Sequence, residues 1–376
     1  MLERGLTRRQ FLRDSASAGV AISLAGGLLS ACGGGSSGPK PATVRWVSPR
    51  GTLVAMDDYN LWVPLELGYF EERRITVELD GGPGSSGIEL LTADQADVAY
   101  PAPGDLAVAV DQGAPVVSVW QQYPAQVFDF SLPEDSAVAS VQELAGACLS
   151  VPSLGVKRIV DPLLVEAGID PASVKLVENG SEWNLLVAQG KADAGLVWEG
   201  LRAQLMGQGL KLKYLLGSSF SEGPSNAYVI RRADLEDGDR RDALARFLEA
   251  VVMGLEFART NPRAAAQITY RAVPGLPDRL RPQIAVNALV QLARGYAVEE
   301  GRGHGWGFHN EASWQAYLET VASLGQITKR LEPGDVLTND LVERANSGAD
   351  VERARNDAQG FDLDDDFSET TPPEEG

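Results

Sequence analysis

From Ala42 onward the sequence alternates short β-rich runs with amphipathic helical stretches, and only a few folds can accommodate this alternation. In the first half the predicted strands are 44–48, 75–79, 96–100 and 115–120, and the predicted helices between them are 58–67, 88–91 and 105–112. Strands that alternate with helices form right-handed βαβ units, because the crossover helix must pack back onto the sheet. The pattern therefore predicts an α/β protein with a largely parallel sheet.

The same alternation begins again near residue 141 and predicts a second lobe. Its predicted strands are 148–151, 174–177 and 192–198, and its predicted helices are 156–166 and 183–189. After strands at 212–216 and 227–230, helices predicted at 242–259, 262–270, 282–292 and 312–324 return to cover the first lobe. Two such lobes form a cleft where the carboxyl ends of their strands converge, and small ligands commonly bind in such a cleft.

The first 41 residues have the pattern of an export segment. Arg8 and Arg9 precede Phe-Leu, an uncharged Ala/Gly/Leu-rich run follows, and Cys32 ends that run. The paired arginines resemble a twin-arginine export signal, and Leu-Ser-Ala-Cys resembles a bacterial lipobox. We therefore predict a signal peptide at 1–31, an acylated Cys32, and a flexible Gly/Ser-rich tether at 32–41. A membrane-spanning N-terminal anchor is the alternative, although the apolar run is short and rich in glycine.

The charge balance limits the class of partner. The chain has 33 Lys plus Arg against 52 Asp plus Glu, a formal net charge of −19. Nucleic acid is not an expected partner, because binding a polyanion requires clustered cations. Two histidines and two cysteines make a catalytic metal site or a disulfide framework improbable, and no cofactor is expected. Residues 350–376 contain ten carboxylates and two arginines, so we predict an acidic disordered tail at 347–376.

Several segments of the chain carry a resemblance to a known family. In chain order they are Leu67–Glu72, Ile75–Leu79, Ala96–Ala99, Leu144–Gly146, Leu149–Pro152, Lys191–Ala194, Trp314–Gly325 and Leu337–Val342. Together they resemble the solute-binding lipoproteins of ATP-binding-cassette (ABC) importers, in the family of thiamine-pyrimidine-precursor, alkanesulfonate, taurine and nitrate binders. The resemblance spans roughly residues 42–346.

This resemblance implies the two-lobed periplasmic-binding-protein fold of type II, with the ligand cleft between the lobes. It places lobe I at 42–126 plus 225–346 and lobe II at 127–224. It also implies a monomer, lipid-anchored on the extracytoplasmic face of a bacterial cell membrane. Such a protein delivers a small-molecule solute to ABC permease and ATPase subunits and is not an enzyme.

In this family the binding site lies in loops at strand ends. The candidate ligand-binding residues in those loops are Thr52, Met56, Asp57, Tyr59, Ala102, Gly104, Gln122, Tyr123, Ser153, Leu154, Gly155, Trp198, Glu199, Asn226 and Tyr228. Helices begin near Gly104 and Ser153, where unpaired N–H groups and the helix dipole favour an anion. The alternative is that these residues only cap their helices.

Aromatic and acidic side chains in the same loops favour a planar solute that bears an amine. Tyr59, Tyr123 and Trp198 could stack on a ring. Glu199 and either Asp57 or Asp58 could accept hydrogen bonds from ring N–H or exocyclic amine groups. We therefore expect a small heteroaromatic solute, with a pyrimidine precursor of thiamine first. Riboflavin, a sulfonate or taurine, and nitrate are the alternatives.

Each of these side chains also has a structural alternative. Asp57 and Asp58 could serve as the N-cap of the following helix, because aspartate accepts hydrogen bonds from unpaired N–H groups. Arg50 could bind either an anionic ligand or only a surface carboxylate. Three further tryptophans, at positions 62, 120 and 183, lie on apolar-periodic segments that are typical of a core.

Three other functional readings have less support from the sequence. His304 and His309 lie five residues apart, but without a third metal ligand they indicate a mobile surface loop. The same family contains a eukaryotic thiamine-pyrimidine synthase, whose activity requires a cysteine cluster and an active-site histidine that this chain lacks. No nucleophile elbow of a hydrolase is present. A solute sensor for a signalling partner stays open as an alternative.

Overall fold

The strands of the described residues form two five-stranded β-sheets. The strands are β1 (Ala42–Val47), β2 (Ile75–Asp80), β3 (Val98–Ala99), β4 (Val116–Gln121), β5 (Phe128–Pro133), β6 (Cys148–Val151), β7 (Lys175–Glu178), β8 (Ala194–Trp198), β9 (Leu212–Leu215) and β10 (Ala227–Arg231). The first sheet has the order β2-β1-β3-β10-β4, and the second has the order β7-β6-β8-β5-β9. We call each sheet with its packed helices a lobe, so the chain passes from lobe I to lobe II after β4 and returns before β10.

This computed structural model describes residues 38–82, 87–124, 126–296 and 304–372, without the side chains of Glu199 and Tyr296. The predicted signal peptide at 1–31 and Cys32 lie outside the described residues. Within the described ranges, no helix has both the length and the apolar character needed to cross a membrane.

Helices connect and follow these strands in the described residues. They are α1 (Tyr59–Glu66), α2 (Tyr69–Glu72), α3 (Gly87–Thr92), α4 (Pro103–Asp111), α5 (Lys157–Glu166), α6 (Trp183–Ala188), α7 (Glu199–Gly207), α8 (Ala233–Glu236), α9 (Gly238–Thr260), α10 (Pro262–Ala272), α11 (Pro282–Tyr296), α12 (Glu311–Ser323), α13 (Pro333–Val336), α14 (Val342–Gly348), α15 (Val351–Gln359) and α16 (Asp365–Ser368). Side-chain caps fix several starts. Asp237 accepts from two backbone N–H groups at the start of α9, and Asn261 accepts from one at the start of α10, where Pro262 occupies the first position.

The sheets are mixed, whereas the sequence predicts largely parallel ones. β1 pairs in parallel with β2 and β3, and β6 pairs in parallel with β7 and β8. β10 is antiparallel to β3 and β4, and β5 is antiparallel to β8 and β9. The segment Phe128–Pro133 was not predicted as a strand. Four of its six residues are buried, so it shows no alternation of apolar and polar positions.

Helices cover both faces of the lobe I sheet. Trp46 belongs to a buried cluster with side chains of α1, α9 and α10, while the next residue, Val47, belongs to a second cluster with α3, α4 and α12. Neighbouring strand residues point to opposite faces of a sheet, so the two clusters lie on its two sides. Phe70 and Phe247 stack at 5.4 Å between ring centroids in the first cluster. The helices α9, α10 and α12 thus pack on the lobe I sheet.

The C-terminal segment is folded, so the prediction of a disordered tail is wrong for residues 347–372. Ala354, Ala358 and Phe367 are buried in the same cluster as α9, α10 and α11. The ring of Phe367 lies edge-on to Tyr270, with 5.4 Å between centroids. The acidic composition indicated solvation, but apolar residues spaced along α15 and α16 supply a face that packs on lobe I.

Ion pairs hold the same segment in place. Arg355 of α15 contacts Glu256 of α9 at 3.1 Å, and the indole N–H of Trp306 donates to the same carboxylate at 2.9 Å. Arg353 pairs with Glu72 of α2. Burial raises the pKa of Glu256, but its bonds to Arg259 and Trp306 outweigh that effect and lower the pKa overall.

Candidate functional site

The two lobes meet where the segment after β1 faces the start of α7. Asp57 of lobe I is 5% exposed, and a Cβ built on Gly200 of lobe II would stand 2.7 Å from Oδ2 of Asp57. Gly200 therefore permits this approach, whereas a side chain at position 200 would require the Asp57 carboxylate to shift. The strand ends of both lobes are in contact at this point, as the predicted cleft requires.

A buried ion pair lies next to Asp57. Nη2 of Arg50 contacts Oδ2 of Asp58, and these side chains are 15% and 2% exposed. Burial alone would lower the pKa of Arg50, but the carboxylates of Asp58 and Asp57 outweigh it and raise that pKa above its ordinary value. Burial raises the pKa of Asp58, and Arg50 offsets part of that rise. Arg50 is therefore a fully charged guanidinium held by the protein's own carboxylates.

The structure does not give Asp58 the capping role proposed from the sequence. This residue is the N-cap of α1 by position, yet its side chain makes no capping hydrogen bond. The carboxylate pairs with Arg50 instead. Arg50, for its part, binds a buried carboxylate and not a surface one.

Aromatic rings form the wall beside this ion pair. Trp46 and Tyr100 lie 6.2 Å apart between centroids, and Tyr100 and Tyr228 lie 5.2 Å apart in an edge-on arrangement. The Tyr228 hydroxyl accepts from Nδ2 of Asn60 at 2.7 Å. Burial is the main cause that raises the pKa of Tyr228, so this phenol stays neutral.

Four of the ten predicted residues of lobe I belong to one buried cluster with these rings. Met56, Tyr59, Tyr123 and Tyr228 are all part of it. The predictions from sequence missed Trp46, Tyr100 and Asn60. Tyr100 directly follows β3, so its place at a strand end was the signal that could have identified it.

Two amide side chains place unpaired polar atoms in this region. Gln122 accepts from the indole N–H of Trp120 at 3.0 Å, and Asn226 donates to the Tyr100 carbonyl at 3.3 Å. The other ends, Nε2 of Gln122 and Oδ1 of Asn226, are buried and have no hydrogen-bond partner among the described residues. A buried polar atom without a partner is costly, so these two atoms suit a ligand that supplies one acceptor and one donor.

In lobe II, Trp198 ends β8 and is half-buried. Its ring stacks on Trp183 with 6.3 Å between centroids and 22° between planes. The indole N–H of Trp183 donates to the Leu196 carbonyl at 2.7 Å. Trp183 is half-buried and supports the ring of Trp198, so its predicted place in the core is wrong. The side chain of Glu199 lies outside the described part of the structure.

The helix starts predicted at Gly104 and Ser153 have different surroundings. A Cβ built on Gly104 would stand 2.9 Å from the Arg158 carbonyl oxygen of lobe II, so lobe II covers the start of α4. Ser153, Leu154 and Gly155 are exposed on a short 3-10 turn before α5. The structure does not bring these three residues to the buried aromatic cluster.

The remaining predicted residues border the site. Thr52 is half-buried, its hydroxyl accepts from Val54 N at 3.0 Å, and it lies against Gly81 after β2. Ala102 is buried and is the N-cap residue of α4.

The lobes are closed in this structure. A cavity of about 10 Å³ lies between them and is lined by Pro103 and Tyr317 of lobe I and by Ile159 and Leu163 of lobe II, among others. Such a volume holds roughly one water molecule. That cavity is therefore too small for an organic solute.

One polar array outside the cleft resembles a catalytic triad but is structural. His309 Nε2 lies 2.7 Å from Ser118 Oγ, and His309 Nδ1 lies 3.0 Å from Asn339 Oδ1. Both His309 and Ser118 are completely buried, so no substrate reaches them. The prediction of a mobile surface loop is wrong for His309, although His304 is exposed. Among the described residues, no group of three or more His, Cys, Asp or Glu side chains could hold a metal ion.

The comparisons with known proteins agree with this architecture. The profile of the family described as NMT1/THI5 like matches residues 58–265, which is more than half of the chain. No curated protein matches the sequence. Solved structures that are similar have low sequence identity to this chain, so their likeness concerns the fold.

The alkanesulfonate-binding protein SsuA from Xanthomonas axonopodis pv. citri, solved with bound MOPS, has a TM-score of 0.61 and 13% identity over 80% of this chain and 99% of that one. The periplasmic nitrate-binding protein NrtA from Synechocystis PCC 6803 has a TM-score of 0.60 and 14% identity over 85% and 92%. The periplasmic aliphatic sulphonate binding protein SsuA from Escherichia coli has a TM-score of 0.56 and 16% identity over 79% and 92%. The predicted type II periplasmic-binding-protein fold is thereby confirmed, and the chain belongs to the NMT1/THI5-like family.

Proposed function

We propose that this protein is the extracytoplasmic solute-binding lipoprotein of an ABC importer and that its solute is a small neutral or cationic heteroaromatic molecule. A pyrimidine precursor of thiamine is the first candidate. The observation that carries the proposal is the pair of buried carboxylates, Asp57 and Asp58, beside buried aromatic rings at the junction of the lobes. The family and the closed two-lobed fold support it.

The local chemistry favours a heteroaromatic ring over a small anion. Aromatic faces bind planar rings, and carboxylates accept hydrogen bonds from amines. Gln122 Nε2 and Asn226 Oδ1 supply one further donor and one further acceptor. An aminopyrimidine offers complementary groups, namely ring nitrogens that accept and an exocyclic amine that donates.

Anionic solutes are the second candidate, because two similar structures carry the names of an alkanesulfonate-binding and a nitrate-binding protein. A site for such ions needs free cations or unpaired N–H groups. Nη2 of Arg50 already pairs with Asp58, so an added anion would compete with that carboxylate for the guanidinium, whose Nε has no hydrogen-bond partner among the described residues. Riboflavin is a further heteroaromatic candidate.

We also propose that acylated Cys32 anchors the protein to the membrane and that the lobes deliver the solute to a permease driven by an ATPase. A role as a solute sensor for a signalling partner is the alternative. The two roles differ in their consequence for the cell, because only an importer component is needed for uptake of the solute.

Native mass spectrometry of the protein purified from its host tests the proposal. The expected result is a complex of one chain with one solute, whose mass identifies a heteroaromatic compound after denaturation. The same preparation of the Tyr228→Ala variant should carry less solute, because that variant removes a ring from the buried wall. A sulfonate or nitrate released from the wild-type protein would contradict the heteroaromatic proposal.

A further inference from the structure

The start of α7 in lobe II faces a carboxylate of lobe I. Trp198, the N-cap residue of α7, makes no side-chain capping bond. The first N–H groups of a helix need a partner, and the helix dipole makes that end attractive to negative charge. Asp57 fits this end, because its carboxylate lies against Gly200 in the first turn and is almost fully buried.

The cation that could attract an anion in the same place is also engaged by the protein. Arg50 forms the buried ion pair with Asp58, and the charge of Asp57 acts on the same guanidinium. The three groups together carry a formal charge of −1. The helix start and Nη2 of the guanidinium therefore face the chain's own carboxylates, while Nε of Arg50 has no hydrogen-bond partner among the described residues.

We propose that Asp57 is a specificity-determining residue that makes the closed cleft reject anionic solutes. When the lobes close, its carboxylate takes the place at the start of α7 that a sulfonate, phosphate or nitrate oxygen would otherwise occupy. An anionic solute would bring a second negative charge to that place, and closure over it would be disfavoured. This inference rests on the proposed function, because it assumes that solutes bind between the lobes.

Gly200 is the complement of Asp57 in this arrangement. Oδ2, Cγ and Oδ1 of Asp57 would stand 2.7, 3.1 and 3.2 Å from a Cβ at position 200. Any side chain there would push the carboxylate away from the helix start or hold the lobes apart. The approach of the two lobes and the exclusion of anions thus depend on the same pair of residues.

The test compares two probes that share one ring, 4-amino-5-hydroxymethyl-2-methylpyrimidine and its phosphate ester, by isothermal titration of the full protein. We expect the wild-type protein to bind the neutral pyrimidine at least about 100-fold more tightly than the phosphate ester. The Asp57→Asn variant keeps the size of the side chain and removes its charge. This variant should reduce that ratio by about tenfold or more.

Asp111→Asn is the matched control, because it removes one carboxylate from lobe I at the far end of α4, where Asp111 accepts from Thr328 N and Lys329 N. The ratio of its affinity for the pyrimidine to its affinity for the phosphate ester should equal that of the wild-type protein. An unchanged ratio in Asp57→Asn, or tight wild-type binding of the phosphate ester, would overturn the inference.

A second experiment tests the role of Asp57 independently of the identity of the ligand. Propanesulfonate, which has no ring, should raise the melting temperature of Asp57→Asn but not that of the wild-type protein or of Asp111→Asn. This gain together with no pyrimidine binding would reject the pyrimidine as ligand and support the role of Asp57. Pyrimidine binding with no sulfonate gain and no change in the ratio would leave the binding function in place and reject the role of Asp57.

Discussion

Gly104 of lobe I lies against the backbone of Arg158 of lobe II, and a Cβ built on Gly104 would stand 2.9 Å from the Arg158 carbonyl oxygen. The Tyr317 hydroxyl lies 3.5 Å from the same oxygen, and the Asp105 carboxylate accepts from Arg158 Nη1 at 3.1 Å. Backbone atoms cannot move aside as the end of a side chain can. A methyl group at position 104 should therefore hold the lobes apart.

We predict that Gly104→Ala weakens solute binding by about tenfold or more, because it lowers the population of the closed form. The dissociation constant from isothermal titration and the radius of gyration from small-angle scattering with solute present measure the effect. Gly238→Ala is the control, since a Cβ there meets nothing within 4 Å. Equal affinity and equal compaction in Gly104→Ala and wild type would show that this contact does not limit closure.

Removing one charge of the buried ion pair between Arg50 and Asp58 should be costly, and removing both charges should cost less. Asp58→Asn leaves the Arg50 guanidinium buried with a weaker partner, and we predict a loss of about 3 kcal/mol in the free energy of unfolding. The double variant Arg50→Met with Asp58→Asn removes both charges and should recover part of that loss. Urea unfolding of the two single variants and the double variant gives the coupling. Additive losses would mean that the two side chains do not interact in solution.

His309 should make the protein sensitive to acid. Burial lowers the pKa of His309 to about 4 from an ordinary value of 6.5, and its bond to Asn339 offsets only part of the effect. Below pH 6.5 the unfolded chain therefore binds a proton at His309 while the folded chain does not, so stability falls as the pH falls from about 7 toward 4. The loss between pH 7.5 and pH 5 should be about 2 kcal/mol.

The His309→Gln variant isolates this contribution. Other groups also titrate in this range, so the informative quantity is the difference in unfolding free energy between wild type and variant at each pH. We expect that difference to shrink by about 2 kcal/mol from pH 7.5 to pH 5. A constant difference would mean that His309 titrates alike in the folded and unfolded chains.

The C-terminal segment should contribute to stability. Phe367 is 1% exposed and packs on Tyr270, so Phe367→Ala should lower the free energy of unfolding by about 3 kcal/mol. The neighbouring exposed residue Glu369 provides the control, because Glu369→Ala should change stability by less than about 0.5 kcal/mol. If both variants had the stability of wild type, the segment would be disordered in solution, as its composition indicated.

The sequence predicted the strands best where alternating apolar residues and flanking helical segments marked them. Val44 and Trp46 point to one buried cluster and Val47 to the other, and the strands around them were predicted because helical segments separate them. Phe128–Pro133 lacks that alternation, since it is buried on both sides, and it was missed. The tail was misjudged because charge dominated its composition, while Ala354, Ala358 and Phe367 form the packed face.

In the candidate site, too, the sequence predicted some residues and could not predict the contacts between them. Position after a strand predicted Asp57, Tyr59 and Tyr123, because ligand loops follow strand ends. The partner of Arg50 could not be chosen in advance, since Asp57 and Asp58 are adjacent and only the turn before α1 decides which carboxylate faces the guanidinium. The contact between Asp57 and Gly200 joins residues from different lobes and requires the closed structure.

The central claim is that the closed cleft binds a neutral or cationic heteroaromatic solute and excludes small anions. Isothermal titration of the purified protein with 4-amino-5-hydroxymethyl-2-methylpyrimidine, propanesulfonate and nitrate tests this claim most directly. We predict saturable binding of the pyrimidine at one site per chain and no measurable heat from the two anions. Saturable binding of propanesulfonate or nitrate, with none of the pyrimidine, would contradict the claim.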